Sequence, residues 1–393
     1  MSLSVSKRVQ RVKPSPTMAV TALAAELRAA GKDIIGLGAG EPDFDTPQHI
    51  KAAAIEAINA GDTKYTNVDG TPALKQVIIT KFKTDNELSY EPNQILVSSG
   101  GKQTCFNVCL AVLDEGDECI IPAPYWVSYP DMVLLADGVP VPVFAGLDQG
   151  FKITPEQLEA AITDRTRLLF LNSPSNPTGA AYSRAELEGL GAVLRKYPDI
   201  VIATDDMYEH IYWADEPFTS FAQANPALYD QTLTMNGVSK AYAMTGWRIG
   251  YCGGPEYLVK AMKKIQSQST SNPASISQAA SVVALSAGNE CIADMLVHFR
   301  QRHDYLVAAL NEIPGFSCAE GAGTFYAFPD VSEAMAAKGC KTDTDFSAMI
   351  LNEAEVALVP GSAFGADGYL RFSFATSMEV LEEAVARIKR FVG

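Results

Sequence analysis

Basic residues are in short supply: 31 Lys and Arg stand against 46 Asp and Glu, a formal net charge of −15. A polyanion such as nucleic acid, or an anionic membrane face, is therefore excluded as the main partner, and any anionic ligand needs locally placed cations. The seven cysteines, at 105, 109, 119, 252, 291, 318 and 340, are odd in number and lack CxxC spacing. That argues against a disulfide framework or a zinc site and fits a reducing cytoplasm. The four histidines, at 49, 210, 298 and 303, have no metal-ligand spacing, so no metal is expected. No run approaches the roughly 18 apolar residues of a membrane span. The basic opening SKRVQRVKPS is not followed by the apolar stretch of an export signal.

What is present reads as folded throughout. Hydrophobic residues make up 47% of the 393 and charged residues 20%, a soluble globular balance in a chain too long for one core. Short apolar runs alternate with longer amphipathic stretches: QILVS at 94–98, CIIP at 119–122, LLFLN at 168–172, IVIAT at 200–204 and LTMN at 233–236. Runs that are apolar throughout suit strands buried on both faces, and helical spacers suit right-handed crossovers in a largely parallel sheet. The expected fold is α/β, with the ligand beyond the carboxyl ends of these strands. Toward the C-terminus, helical segments around 290–312 and 377–392 flank strand-like GTFYAFP at 323–329 and YLRFSFA at 369–375, an α+β pattern. The expected division is an N-terminal arm and part of a small domain at 1–45, a large domain at 46–289 and a small domain at 290–393.

The most informative segment is MNGVSKAYAMTGWRIGY at 235–251. Most lysines are solvated, but Lys240 is expected at the end of a buried strand, among Val238, Ala241, Tyr242 and Ala243. Desolvation there depresses its pKa and favours the neutral, nucleophilic amine that Schiff-base chemistry needs. Ser239 and Arg248 can both reach one phosphate, the guanidinium by a charge-assisted fork. Taken alone, Arg248 is as readily a structural ion pair. Gly100-Gly101-Lys102 follows the run QILVS and precedes a helix, so its backbone N–H groups would meet a phosphate at the helix N-terminus. It is no Walker loop, because Leu96 and Gln103 stand where that motif needs Gly and Ser or Thr.

These motifs resemble those of fold-type I, pyridoxal-phosphate-dependent aminotransferases, and most of all the bacterial aspartate aminotransferases of subgroup Ib. The likeness includes RVKPSPT at 11–17, GLGAGEPDFDTP at 36–47, TKYT at 63–66, GGKQ at 100–103 and PAPYWVSYP at 122–130. It continues through NSPSNPTG at 172–179, TDDMYEH at 204–210, NGVSKAYAMTGWRIGY at 236–251 and LRFSFATS at 370–377. Order and spacing agree along nearly the whole chain.

The resemblance implies a large cofactor-binding domain with a mostly parallel sheet, a smaller α+β domain and pyridoxal 5'-phosphate bound to Lys240. Asp205 would keep the pyridine nitrogen protonated, Tyr208 and Asn176 would hydrogen-bond the phenolic oxygen, and Trp126 would stack on the ring. The bland alternatives are a helix N-cap for Asp205 and a core position for Trp126. Asp206 is the poorer candidate of the two neighbouring carboxylates. Arg371 would grip the substrate α-carboxylate, which Gly40 approaches through its backbone. Lys102, with Lys13 and Thr17 of the arm, would read a distal carboxylate; otherwise Lys102 faces solvent. Pro16 stands where relatives often have Ala, which bears on the arm's path. Tyr65 would reach the cofactor phosphate of a neighbouring subunit, making the site complete in a homodimer.

The implied reaction is ping-pong amino transfer between aspartate and 2-oxoglutarate, with prephenate as an alternative amino acceptor. A carbon–sulfur β-lyase could use the same apparatus. A nicotinamide-dependent dehydrogenase is a weaker rival, because GLGAGEP lacks GxGxxG spacing. A transcription regulator with an aminotransferase-like domain would need a DNA-binding module, for which the pattern, beginning by about residue 11, leaves no room.

Overall fold

The structure, a computed structural model, describes residues 5–12, 14, 16–288 and 290–393. Lys13 and the side chains of Pro16 and Thr17 lie outside the described residues. Among the described residues, twelve strands follow in chain order. They are β1 (Ile35–Gly36), β2 (Ile95–Ser98), β3 (Glu118–Ala123), β4 (Val139–Phe144), β5 (Thr166–Asn172) and β6 (Val201–Asp205). Then come β7 (Thr232–Gly237), β8 (Gly250–Gly253), β9 (Tyr326–Ala327), β10 (Val356–Ala357), β11 (Val359–Pro360) and β12 (Leu370–Ser373).

Seven of them form one sheet in the order β2-β8-β7-β6-β5-β3-β4, parallel except for β8. Neighbouring residues along a strand enter different cores. Leu168 and Phe170 pack with Cys105, Val108 and Met262 of the helices Gly101–Val112 and Glu256–Ser267. Leu169 and Leu171 pack instead with Leu158, Leu187 and Leu190 of the helices Pro155–Ala161 and Arg184–Leu194. Burial on both faces is what continuous apolar runs require.

Strand β4, VPVPVF, has no counterpart among the five apolar runs expected to be strands. Its prolines would interrupt a central strand, but β4 lies at the sheet edge. There Val139 N donates to Asp117 O and Ala145 N to Ala123 O, so the odd positions face β3. Pro140 and Pro142 take the unpaired side.

Two smaller sheets come from both ends of the chain: β1 pairs parallel with β10, and β12 lies antiparallel between β11 and β9. The helices Ala293–Asn311 and Met378–Val392 contribute Phe299, Leu306, Leu381 and Ile388 to the core shared with Phe325 and Phe372. Of the strand-like stretch 323–329, only Tyr326–Ala327 is paired as a strand, because Thr324 takes a left-handed φ of 71° that breaks the extension. No single helix among the described residues is long and apolar enough to cross a membrane.

Candidate active site

The parallel strands deliver their C-terminal ends to one side of the sheet, and a cleft of about 440 Å³ opens there. Gly101 and Lys102 follow β2, Trp126 follows β3, Asn172 ends β5 and Asp205 ends β6, while Ser239 and Lys240 follow β7. The small sheets supply Tyr326 and Arg371, and the segment after β1 supplies Gly38, Gly40 and Glu41.

Lys240 lies three residues beyond β7, in a turn rather than at the strand's end. It is half-buried, donates a short hydrogen bond to the Gly40 carbonyl and lies 5.7 Å from the Phe325 ring centre. Burial, reinforced by the positive charges of Arg371 and Arg248, pushes its amine down to about 8. A large fraction of it is therefore neutral near physiological pH.

Asp205 is buried, accepts from Tyr129 Oη at 2.7 Å and from Met207 N at 3.3 Å, and meets no cation at ion-pair distance among the described residues. Burial raises its pKa, against the two hydrogen bonds. Asn172 Nδ2 fixes its backbone by donating to the Asp205 carbonyl at 2.8 Å. Asp206 does not line the cleft. It is buried near Glu209 and Lys81. In that neighbouring cluster Asp85, Glu209 and His210 bring ligand atoms within 4.8 Å of one another. The Lys81 ammonium already sits on the Glu209 carboxylate, where a metal ion would have to go.

Arg371 is 2% exposed, yet no carboxylate among the described residues pairs with it. Nη1 donates to Asn176 Oδ1 at 3.0 Å and Nη2 to the Gly38 carbonyl at 2.7 Å, and Nε has no partner among the described residues. The guanidinium stacks 4.4 Å from the Tyr326 ring centre. The Tyr326 hydroxyl in turn lies 3.2 Å from that of Tyr208. Burial, then the neighbouring Tyr326, keep the Tyr208 phenol far above its ordinary pKa, so it is a neutral donor.

Glycine is required where backbone and guanidinium crowd together. Gly100 has φ +93°, and a Cβ there would lie 2.3 Å from Arg248 Nη2; a Cβ on Gly250 would lie 2.2 Å from Gly101 N. The N-terminus of the helix Gly101–Val112, the Arg248 side chain and Ser239 thus face one small volume. Lys102 is exposed to solvent yet reaches over the Trp126 ring at 5.0 Å, and partial desolvation followed by the charge of Arg248 lowers its pKa. The Tyr65 side chain stands away from this cleft and is 92% exposed.

Several lining residues had no role in the sequence reading. Tyr326 is the one tyrosine of GTFYAFP, and Tyr129, which holds Asp205 from outside the lining, is one of two in PAPYWVSYP; neither motif marks its tyrosine as reaching the site. Glu41 accepts from Thr245 Oγ1 at 2.8 Å and raises the Lys240 amine against the larger depressing effects. Met18 and Thr21 line the cleft from the helix Pro16–Ala29, where no sequence signal marks them.

A lysine with its amine lowered to about 8 shares one cleft with a buried carboxylate that has no cation beside it and a buried arginine that has no carboxylate beside it, both among the described residues, and the family of the chain gives this grouping its context. Residues 32–388 match the family of class I and II aminotransferases, and the chain belongs to that family. It is an aminotransferase that uses pyridoxal 5'-phosphate. It is 59% identical to the aspartate/prephenate aminotransferase of Nitrosomonas europaea over 98% of this chain and 99% of that one. It is 57% identical to that of Cereibacter sphaeroides, over 98% of each chain. Among solved structures, the aspartate aminotransferase of Rhizobium meliloti superposes with a TM-score of 0.96 at 49% identity, over 100% of this chain and 99% of that one. The Thermus thermophilus aspartate aminotransferase with maleate gives 0.93 at 42% identity, over 99% and 100%. The expected α/β fold and aminotransferase class are both borne out.

Proposed function

We propose that this protein moves an amino group from aspartate to 2-oxoglutarate, giving oxaloacetate and glutamate, in two half-reactions of ping-pong order, and that prephenate serves as a further amino acceptor. The observation that carries the reading is the buried Arg371, whose Nε lacks a partner in the same cleft as the depressed Lys240 amine. The names of the similar enzymes support the choice of aspartate and prephenate.

The residues present fit pyridoxal phosphate. Ser239, Arg248 and the Gly100-Gly101 amides would hold its phosphate, with Tyr65 from a partner subunit. Trp126 would lie on its ring, and Tyr208 and Asn176 would donate to its phenolic oxygen. Asp205, a buried carboxylate without a cation, would gain one from the protonated ring nitrogen. When bound, the cofactor supplies an aldehyde to take up the amino group and a ring that draws electrons from the substrate's α-carbon. Arg371 grips the α-carboxylate by a bidentate fork, with Gly40 leaving room beside it. Lys240 Nζ, its pKa lowered to about 8, takes the proton from the substrate Cα in its neutral form and later returns one. Lys102 reads the distal carboxylate, together with Lys13 and Thr17. Pairing of β1 with β10 supports grouping residues 1–45 with the small domain at 290–393, leaving 46–289 as the large one.

Borohydride reduction of the loaded enzyme followed by peptide mapping tests the assignment: the label belongs on Lys240, and a label on another lysine overturns it. Steady-state rates with aspartate, glutamate, phenylalanine and prephenate test the substrates. Release of pyruvate and ammonia as the main reaction would make the protein a β-lyase instead.

A further inference from the structure

The segment 37–46 runs from the small sheets to the turn that carries Lys240, and it is tied down at both ends. At its start Leu37 N donates to Ala357 O at 2.9 Å, and Ser373 N donates to Leu37 O at 2.8 Å, two residues beyond Arg371. At its end Thr46 Oγ1 donates to Ala243 O at 2.7 Å and accepts from Trp247 Nε1 at 3.0 Å. Between these anchors lie the two carbonyls that hold the reactive cations: Gly38 O accepts from Arg371, and Gly40 O accepts from Lys240.

The middle of the segment has its own clamp. The two Asp43 carboxylate oxygens accept from Arg302 Nη1 and Nη2 at 2.8 and 2.9 Å. Arg302 belongs to the helix Ala293–Asn311, is 8% exposed and lies 5.2 Å from the Phe44 ring and 5.7 Å from the Phe299 ring. A bidentate fork on a guanidinium packed against two rings that also touch each other fixes direction as well as distance. Neither Asp43 nor Arg302 lines the cleft.

We propose that Asp43 and Arg302 are positioning residues for amino transfer: their pair fixes the segment 37–46 so that the Gly38 and Gly40 carbonyls hold Arg371 and Lys240 where substrate binding and proton transfer need them. This inference rests on the roles given above to Arg371 and Lys240. A backbone carbonyl cannot be tuned by its own side chain, so its place is set by what anchors the segment. Misplacement by about 1 Å at a reacting group costs on the order of 100-fold in rate.

The test uses the full-length protein with Asp43→Asn, Arg302→Lys and the double variant, and Arg371→Lys as the reference. Maleate affinity and the aspartate KM are measured on the loaded enzyme. The pH dependence of Lys240 acylation is measured on the cofactor-free protein. Asp43→Asn and Arg302→Lys should each raise the maleate Kd and the aspartate KM about tenfold or more, and the double variant should lose no more than the worse single one. The midpoint of Lys240 acylation should move up as water reaches the loosened site, since burial is the largest cause of its low value. Unchanged Kd, KM and midpoint, with or without a lower melting temperature, overturn the inference. If Arg371→Lys still weakens maleate binding in that case, the reading of the cleft stands. If Arg371→Lys leaves maleate binding intact, that reading fails and this inference falls with it. Should Asp43→Asn not fold, Arg302→Lys carries the same outcomes.

Discussion

Arg371 Nη1 sits 3.0 Å from Asn176 Oδ1, and this neutral contact stands where an ion pair would be expected for a guanidinium so deeply buried. Burying a charge without a counter-charge is costly, and the Tyr326 and Phe364 rings beside it, at 4.4 and 5.0 Å, offset only part of that cost. In the proposed function a substrate carboxylate would supply the missing charge, with Nε, which has no partner among the described residues, as a donor for it.

The first prediction follows directly. Arg371→Ala should lower kcat/KM for aspartate by about 10²–10⁴-fold, because two charge-assisted hydrogen bonds worth ~1.5–3 kcal/mol each are lost. Most of the loss should appear in KM, and the melting temperature should hold or rise once the unpaired buried charge is gone. Steady-state kinetics and thermal unfolding read both.

The Lys240 amine should show its depressed pKa in chemistry. In the cofactor-free protein its acylation rate should climb with pH through a midpoint of about 8 and then level off, because only the neutral amine reacts. Glu41→Gln should move that midpoint down, since the Glu41 charge favours the ammonium form. Arg371→Ala should move it up, since a neighbouring positive charge is removed and water is admitted. Opposite shifts from the two variants, measured by mass spectrometry of the labelled peptide, distinguish electrostatic tuning from general loosening.

Much of this site was legible in the chain because its residues sit at strand ends, where continuous apolar runs stop at Asn172, Asp205 and the turn holding Lys240. The unbroken apolar character of the runs pointed to the sheet, and the abrupt change to polar residues marked its carboxyl edge. What escaped notice depends on contacts between distant segments. Tyr326 matters because it touches both Arg371 and Tyr208, and Asp43 because it meets a helix more than two hundred residues away. Strand β4 escaped because prolines forbid a central strand, whereas an edge position tolerates them.

Asp205 provides a stability prediction with a definite sign. Its folded pKa is raised by burial, so cofactor-free protein should lose stability as pH rises through that value and the carboxylate ionises without a cation. Asp205→Asn should remove this pH dependence, leaving the cofactor-free variant more stable than wild type at pH 8 and much closer to it at acid pH. Bound cofactor should reverse the ranking, because only the carboxylate can pair with a protonated ring nitrogen. Melting temperatures with and without pyridoxal phosphate at two pH values check all three statements.

Gly100→Ala should weaken cofactor binding more than it weakens the fold. The added Cβ would lie 2.3 Å from Arg248 Nη2 in a residue at φ +93°, so the guanidinium must swing away from the volume it shares with Ser239. Loss of one charge-assisted contact to phosphate, ~1.5–3 kcal/mol, corresponds to a rise of about 10- to 150-fold in the Kd for pyridoxal phosphate. Gly250→Ala should instead impair folding, because its Cβ would meet the Gly101 backbone at 2.2 Å, and main chain cannot step aside as a side chain can. Fluorescence titration with the cofactor and urea unfolding separate the two effects.

The last prediction concerns Tyr65, a large aromatic side chain 92% exposed within the segment TKYT at 63–66. If it completes the phosphate site of a second copy, Tyr65→Ala and Lys240→Ala chains should each be poorly active alone, and mixing them should restore activity. In the mixed dimer, one site takes Lys240 from the first chain and Tyr65 from the second, and so is wholly wild type, while the other carries both lesions. With random exchange, half of the dimers are mixed and each has one sound site, so activity should rise to about a quarter of the wild-type value per chain. Unfolding and refolding the chains together, then assaying against the separately refolded homodimers, gives the comparison. No gain above the average of the two homodimers, or full activity in a species that sediments as a monomer, would show that Tyr65 serves its own chain or none.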